Sequence, residues 1–300
     1  MRFCFNFALL KQNHGEMAFD NFSITVKGKK IEFTRPQVMG ILNVTPDSFY
    51  AGSRMETDDV LISNRVRQML EEGVDIIDIG AYSTRPNADD VPPEEEYRRL
   101  SVGLSIIRRL AGDILVSVDT FRADIAERCV CNYGVQIIND VSGGTLDAAM
   151  FDTVARLGVP YILMHMRGTP ATMQSLTEYA DVTRDVIADL SAKVEALRSR
   201  GASDIIIDPG FGFSKTVDQN YEMMARLSEF KAMGLPLLVG ISRKSMIFRT
   251  LDTDARHSLN GTTVLNTVSL MGGAQILRVH DVCVCVEAVK IMGKMLGYDY

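Results

Sequence analysis

A single-domain α/β barrel, in which eight parallel strands alternate with helices behind a short N-terminal hairpin, is the fold class this 300-residue sequence predicts. Three observations lead there. About eight short apolar runs each stop at a burst of polar residues, as strand ends gathered at one mouth of a barrel would. Amphipathic helical stretches separate the runs, so the strands need parallel crossovers, and the runs are apolar on both faces, so the sheet is covered on both sides. No G-x-G-x-x-G follows the first strand, which weakens the open dinucleotide-binding alternative.

The elements follow in order. Residues 22–33 read as an amphipathic hairpin, with Phe22, Ile24 and Val26, a turn at Lys27-Gly28-Lys29, then Ile31 and Phe33, placed to plug the barrel floor. Residues 38–42 form the first buried strand; the next helix shows Ile62, Val66, Met69 and Leu70 and stops at Gly73. Strand two is 76–79. Pro92-Pro93-Glu94-Glu95-Glu96 then opens a helix, since proline suits a first turn and acids complement the positive end of the dipole. Strands three, four and five are placed at 114–118, 135–138 and 161–164. The following helix carries Val182, Val186, Leu190, Val194 and Leu197 on one stripe and ends at Gly201. Strands six, seven and eight are placed at 205–207, 237–239 and 275–277, and a helix over 283–296 closes the chain. Residues 1–21 read as a flexible extension, with Met17 a candidate later start, and 22–300 as one domain.

Composition narrows the function. An apolar fraction of 46% and a charged fraction of 23% are those of an ordinary globule. A net charge of −6 argues against a nucleic-acid partner, and no apolar run is long enough to cross a membrane. Cys4, Cys129, Cys131, Cys283 and Cys285 give neither a disulfide framework nor a zinc spacing; they read as small buried or half-buried residues in a cytoplasmic protein.

Two groups of strand-end residues carry chemistry. Arg278 and His280 lie two apart, so both leave one face of the last strand and offer donors to a phosphate. Asn43, at the mouth of the first strand, becomes their neighbour once the barrel closes, and its neutral oxygen suits Mg²⁺ beside a phosphate ester. The bland alternative is a structural arginine paired with a nearby aspartate. Asp119, Asn139 and Asp208 end strands three, four and six; inward carboxylates are costly to desolvate unless donors meet them, as the amidine-like edge of a fused ring would. Lys244 is placed to donate to such a ring. The alternative for Asp119 and Asp208 is a set of structural salt bridges.

In chain order, Asn43-Val44-Thr45-Pro46-Asp47-Ser48-Phe49, Ser83-Thr84-Arg85-Pro86, Val118-Asp119-Thr120, Ile138-Asn139-Asp140-Val141-Ser142-Gly143-Gly144, Asp208-Pro209-Gly210-Phe211-Gly212-Phe213, Ser242-Arg243-Lys244-Ser245 and Arg278-Val279-His280-Asp281 resemble the motifs of dihydropteroate synthases across residues 36–296. The resemblance implies a TIM barrel that joins p-aminobenzoate to 6-hydroxymethyl-7,8-dihydropterin diphosphate, with Mg²⁺, in folate biosynthesis. It implies that Asp119, Asn139, Asp208 and Lys244 grip the pterin, with Met164 lining its pocket. Asn43 would hold Mg²⁺, and Arg278 and His280 the diphosphate. Thr84, Phe213 and Ser245 would frame the aminobenzoate site, and Arg85 would sit on a loop closing over it. Catalysis would rest on Asp119, Lys244 and Arg278. A homodimer through the terminal helices and inhibition by sulfonamides are further expectations of the resemblance. One departure stands out: Tyr82 occupies a position where the family commonly has an acid, so no role is transferred to it. A pterin-dependent methyltransferase barrel could share Asp119, Asn139 and Asp208 but has no use for Lys244, Arg278 and His280. A non-catalytic pterin binder would not need to activate a leaving group.

Other features are assigned blander roles. His14, His165 and His257 lack metal-ligand spacing and read as packing or loop residues. Glu94-Glu95-Glu96 with Arg98-Arg99 read as a solvated helix face, and Gly272-Gly273 as a close approach to the last strand.

Overall fold

Period-two alternation along parallel strands sorts side chains into a barrel interior and a helix-facing exterior, and both faces here are closed. The computed structural model describes residues 19–45, 55–82 and 91–300, with backbone alone for 55–58. The hairpin is β1 (Phe22–Val26) and β2 (Lys29–Phe33), antiparallel with Ile24 opposite Ile31. The barrel follows as β3 (Gln37–Asn43), α1 (Met55–Glu71), β4 (Ile76–Gly80), α2 (Pro93–Leu110), β5 (Leu115–Asp119), α3 (Ala123–Tyr133), β6 (Ile137–Asp140) and α4 (Met150–Leu157). It continues as β7 (Tyr161–Met164), α5 (Val182–Ser199), β8 (Ile205–Asp208), α6 (Val217–Ala225), β9 (Leu238–Val239), α7 (Ser245–Thr250), α8 (Leu259–Met271), β10 (Ile276–Val279) and α9 (Val282–Leu296). The eight parallel strands run in the order β8-β7-β6-β5-β4-β3-β10-β9, and a bridge from Ile207 to Leu237 closes β8 onto β9.

The expected hairpin holds to the residue, and it does plug the floor. Phe22, Ile24 and Phe33 pack in one cluster with Met39, Ile76, Ile137, Ile162, Ile206, Leu238 and Ile276, the lowest inward residues of seven strands. Two residues further along the same faces stand Asp78, Ser117, Asn139, Met164, Asp208 and Arg278. An apolar floor therefore lies directly beneath a polar layer. The opposite faces of the strands, with the helices, form a second and larger apolar cluster, which holds all five stripe residues of α5.

Six of the eight barrel strands run one or two residues past their expected ends, and in four of them the polar terminal residue still belongs to the strand: Asn43, Asp119, Asp140 and Asp208 are the last residues of β3, β5, β6 and β8. Two expectations need correction. Glu96 is fully buried rather than solvated: Thr120 Oγ1 donates to it at 2.6 Å and Arg122 pairs with it, tying α2 to the segment after β5. The apolar side of α2 rotates its third acid inward, while Glu95 stays half-exposed with Arg98 and Arg99. The cysteines divide, Cys129 and Cys285 being buried and Cys131 and Cys283 exposed, because C-x-C on a helix cannot place both thiols on one face. The extension at 1–21 falls almost wholly outside the described residues.

Gly40 shows how closely the outer layer approaches β3. A Cβ there would lie 2.7 Å from Met69 Cε and 3.0 Å from side-chain carbons of Val74 and Val282. Gly40→Ala should therefore overpack this contact and destabilise the fold by roughly 1–3 kcal/mol, read from the urea midpoint; an unchanged midpoint would show that Met69 yields freely.

Candidate active site at the mouth of the barrel

The polar layer gathers around one guanidinium. Arg278 on β10 reaches past β3 and donates from Nε to Asp78 Oδ2 on β4 and from Nη2 to Asp119 Oδ2 on β5, both at 2.6 Å. Asn139 on β6 donates its amide to the same Asp78 oxygen at 3.1 Å. Four strands are thus joined through one bonded network. Nη1 of Arg278 has no hydrogen-bond partner among the described residues.

The electrostatics follow from burial. Two carboxylates share one cation in a water-poor wall. Burial pushes Asp119 up to about 7, against the pull of Arg278, and the Asp78 charge adds to the rise. Burial also works against the Arg278 charge, yet Asp78 and Asp119 hold its pKa above the ordinary arginine range. Asp208 is raised by burial, with Lys244 and the Gly210 amide, which donates to it at 2.7 Å, pulling the other way. Lys244 is pulled down to about 8 by burial, Asp208 opposing.

The loop after β8 presents Lys244 with two contacts. The Lys244 ammonium donates to the Phe211 carbonyl and lies 4.7 Å from the centre of the Phe213 ring. Met164 is buried in an apolar wall with Val141, Met166 and Met173, against which Phe213 packs. Asp140 is a structural acid: it accepts from Tyr161 Oη at 2.7 Å and from the Ser142 and Gly144 amides at 2.8 and 2.9 Å, so it shapes the turn after β6.

On the other side of the mouth, Ser242 Oγ lies 3.0 Å from His280 Nδ1 and accepts from the His280 amide at 3.2 Å. The His280 carbonyl accepts from Arg65 of α1. Arg243, with φ of 55°, makes a two-pronged pair with Asp281 at 2.8 Å and donates to the Ala255 and Arg256 carbonyls. That pair binds the segment carrying Lys244 to the junction of β10 and α9. Asn43 ends β3, which pairs with β10, as expected; its side chain has no hydrogen-bond partner among the described residues.

The structure therefore brings Asp119, Asn139 and Arg278 into direct contact and sets Asp208, Lys244, Phe213 and Met164 in the same interior. Ser245 opens α7 immediately beyond Lys244. Thr84 and Arg85 lie outside the described residues. Arg278 departs from expectation: its fork faces two aspartates, so the structural pairing first weighed for it is present. The residue that sequence reasoning missed is Asp78. Its signal was a lone acid inside the apolar run Ile76-Ile77-Asp78-Ile79, in phase with the inward face. Tyr82 packs edge-on against Phe121 at 5.1 Å, with the Arg122 guanidinium 5.4 Å from its ring, so an aromatic–cation contact stands where an acid was expected.

A divalent ion would find no ready-made cage, since no group of three His, Cys, Asp or Glu side chains able to hold one occurs among the described residues. The unbonded Asn43 oxygen together with phosphate oxygens of a ligand is the hard donor set that Mg²⁺ accepts, so the residues fit that ion only with substrate present. No helix among the described residues is long and apolar enough to cross a membrane.

Known proteins resemble the chain in sequence and in fold. The family model described as pterin binding enzyme matches residues 39–280. A dihydropteroate synthase of Synechocystis sp. is 41% identical over 260 residues, covering 86% of this chain and 89% of that protein. A folic acid synthesis protein of Pneumocystis carinii is also 41% identical, over 85% of this chain, but the chain spans only 36% of its length. Among solved structures, the Xanthomonas albilineans dihydropteroate synthase with 4-aminobenzoic acid superposes with a TM-score of 0.82 at 34% identity, covering 92% of this chain and 99% of that one. The Yersinia pestis enzyme in a sulfonamide drug complex gives 0.82 at 36% identity, covering 92% and 100%. The chain belongs to the pterin-binding enzymes and, within them, to the dihydropteroate synthase family.

Proposed function

We propose that this protein is a dihydropteroate synthase, condensing p-aminobenzoate with 6-hydroxymethyl-7,8-dihydropterin diphosphate to give 7,8-dihydropteroate and pyrophosphate. The observation that supports it best is the convergence of Asp119, Asn139 and Asp208 with Arg278 and Lys244 in one interior above an apolar floor. Acids and a carboxamide suit the N–H-rich edge of a pterin, with Met164 against its flat face, while cations suit a diphosphate.

In this reading the bond between the pterin methylene carbon and the diphosphate oxygen breaks, and its electron pair leaves with the diphosphate. Nη1 of Arg278 and the imidazole of His280 receive that negative charge. Asp119, whose pKa burial lifts to about 7, stands as a carboxylate against Arg278, and its negative charge stabilises the positive charge that develops on the pterin beside it. The amine lone pair of aminobenzoate then forms the C–N bond and the nitrogen releases a proton. An aniline nitrogen is neutral at pH 7, so orientation by Lys244, Phe213, Ser245, Thr84 and Arg85 does more than a strong base would. Asn43 and the diphosphate's own oxygens would hold Mg²⁺, which when bound supplies counter-charge to the departing phosphates. The reading places the reaction in a reducing cytoplasm, which the free cysteines suit.

A homodimer is part of the proposal. Val264, Val268 and Met271 form an exposed apolar stripe on α8, and Ile291 and Met295 another on the adjoining α9, so a second copy of the chain is the occupant that suits them. Light scattering should give twice the chain mass, and Ile291→Glu should shift it toward the monomer; a monomeric parent protein removes the dimer from the proposal.

The activity is tested with purified protein, Mg²⁺ and both substrates. Pyrophosphate should appear only when both substrates are present, and a sulfonamide should compete with aminobenzoate; release indifferent to the amine would defeat the synthase reading. A pH profile probes the site itself. Lys244 carries its proton below about 8 and loses it above, so kcat/KM should fall on the alkaline side near pH 8. Lys244→Arg, with a cation that persists, should lower activity yet abolish that alkaline limb; a limb that survives in the variant belongs to another group.

A further inference from the structure

The loop that presents Phe211 and Phe213 to Lys244 is held from behind by a lysine that the mechanism does not use. Lys215 is 4% exposed. Its ammonium lies 3.0 Å from each of three acceptors: His165 Nδ1, the Gly210 carbonyl and the Phe213 carbonyl. An ammonium has three N–H bonds and no acceptor, so three acceptors complete its needs. Burial pulls Lys215 well below the ordinary lysine range, and the Asp208 carboxylate draws it back. Burial first, then the Lys215 charge, pull His165 down to about 2, so its ring is neutral and Nδ1 offers a lone pair. Nε2 has no partner among the described residues.

The carbonyls that Lys215 holds bracket the contacts made to Lys244. Gly210 precedes Phe211, whose carbonyl accepts from Lys244, and Phe213 bears the ring beside that ammonium. The loop has no slack on its His165 side: with φ of 70°, Gly210 sits so near that a Cβ would be 2.0 Å from the His165 carbonyl oxygen. At its far end Ser214 Oγ donates to the Arg167 carbonyl and accepts from the Arg167 amide, both at 2.9 Å. The loop thus rests on the segment after β7 at both ends, and Lys215 ties its middle down.

We infer that Lys215 is a positioning residue, which by binding the Gly210 and Phe213 carbonyls to His165 fixes the loop that holds Lys244 and frames the aminobenzoate site. The inference rests on the synthase reading above. A loosened loop misplaces the Phe213 ring and the Phe211 carbonyl, so the second substrate loses its frame before the protein loses its fold. A purely structural role acts differently: it lowers the folded fraction, hence apparent kcat, and leaves KM where it was.

The test compares Lys215→Met, His165→Leu and His165→Asn in the full chain with the parent protein. The asparagine places an amide oxygen where Nδ1 accepts, whereas the leucine removes the acceptor. Lys215→Met and His165→Leu should raise the aminobenzoate KM roughly tenfold, and His165→Asn should stay within about threefold of the parent. An aminobenzoate KM unchanged in Lys215→Met, or equal in the two His165 variants, overturns the inference. Should Lys215→Met not fold, the two His165 variants decide alone. A parent protein that makes no dihydropteroate defeats the synthase reading itself; an active parent with unmoved KM values in the variants defeats the positioning role only.

Discussion

One guanidinium shared between two carboxylates is the interaction on which the site depends. Arg278 answers Asp78 and Asp119 at once, so the bonded cluster holds two acids and one base where charges are costly to bury. Burial raises Asp119 and the Asp78 charge adds to the rise, so a molecule that brings N–H donors would suit this wall. Asp78, which touches both Arg278 and Asn139, sets the position of a cation and a carboxamide from a single point, the two groups proposed to meet the diphosphate and the ring. The two halves of the proposed chemistry are therefore mechanically connected.

Much of the architecture was legible because it rests on short-range rules. Strand ends announce themselves where apolar runs meet polar residues, and closing eight parallel strands puts those ends at one mouth. The hairpin was equally plain, since Phe22, Ile24, Ile31 and Phe33 alternate around Lys27-Gly28-Lys29, the turn where Lys27 and Gly28 both take positive φ. Asp119, Asn139, Asp208 and Lys244 could be picked out for the same reason. What escaped depends on register between distant strands. Nothing local says that Arg278 spans β3 to meet Asp78 and Asp119, and Asp78 stands inside an apolar run, where attention to strand ends does not look. Glu96 was misread because three consecutive acids at a helix start look solvated until the helix's packing direction is known. The Lys215–His165 contact joins two loops fifty residues apart, beyond the reach of any periodicity.

The loops that carry Lys244 and its neighbours are stiff by construction. Arg243 is held in a left-handed conformation that a branched or unpaired residue would resist, and its pair with Asp281 plus two carbonyl bonds offset that strain. Lys244 follows immediately, so its backbone is set by a neighbour that is itself clamped to the end of β10. The Phe211 carbonyl meets the Lys244 ammonium from the opposite loop. Two independently braced segments thus converge on one side chain, which is how a flexible lysine acquires a defined direction.

The stopper made by Phe22, Ile24 and Phe33 decides which end of the barrel can host chemistry as well as adding to its core. With that end filled by side chains, the polar layer faces outward toward the mouth formed by the strand ends.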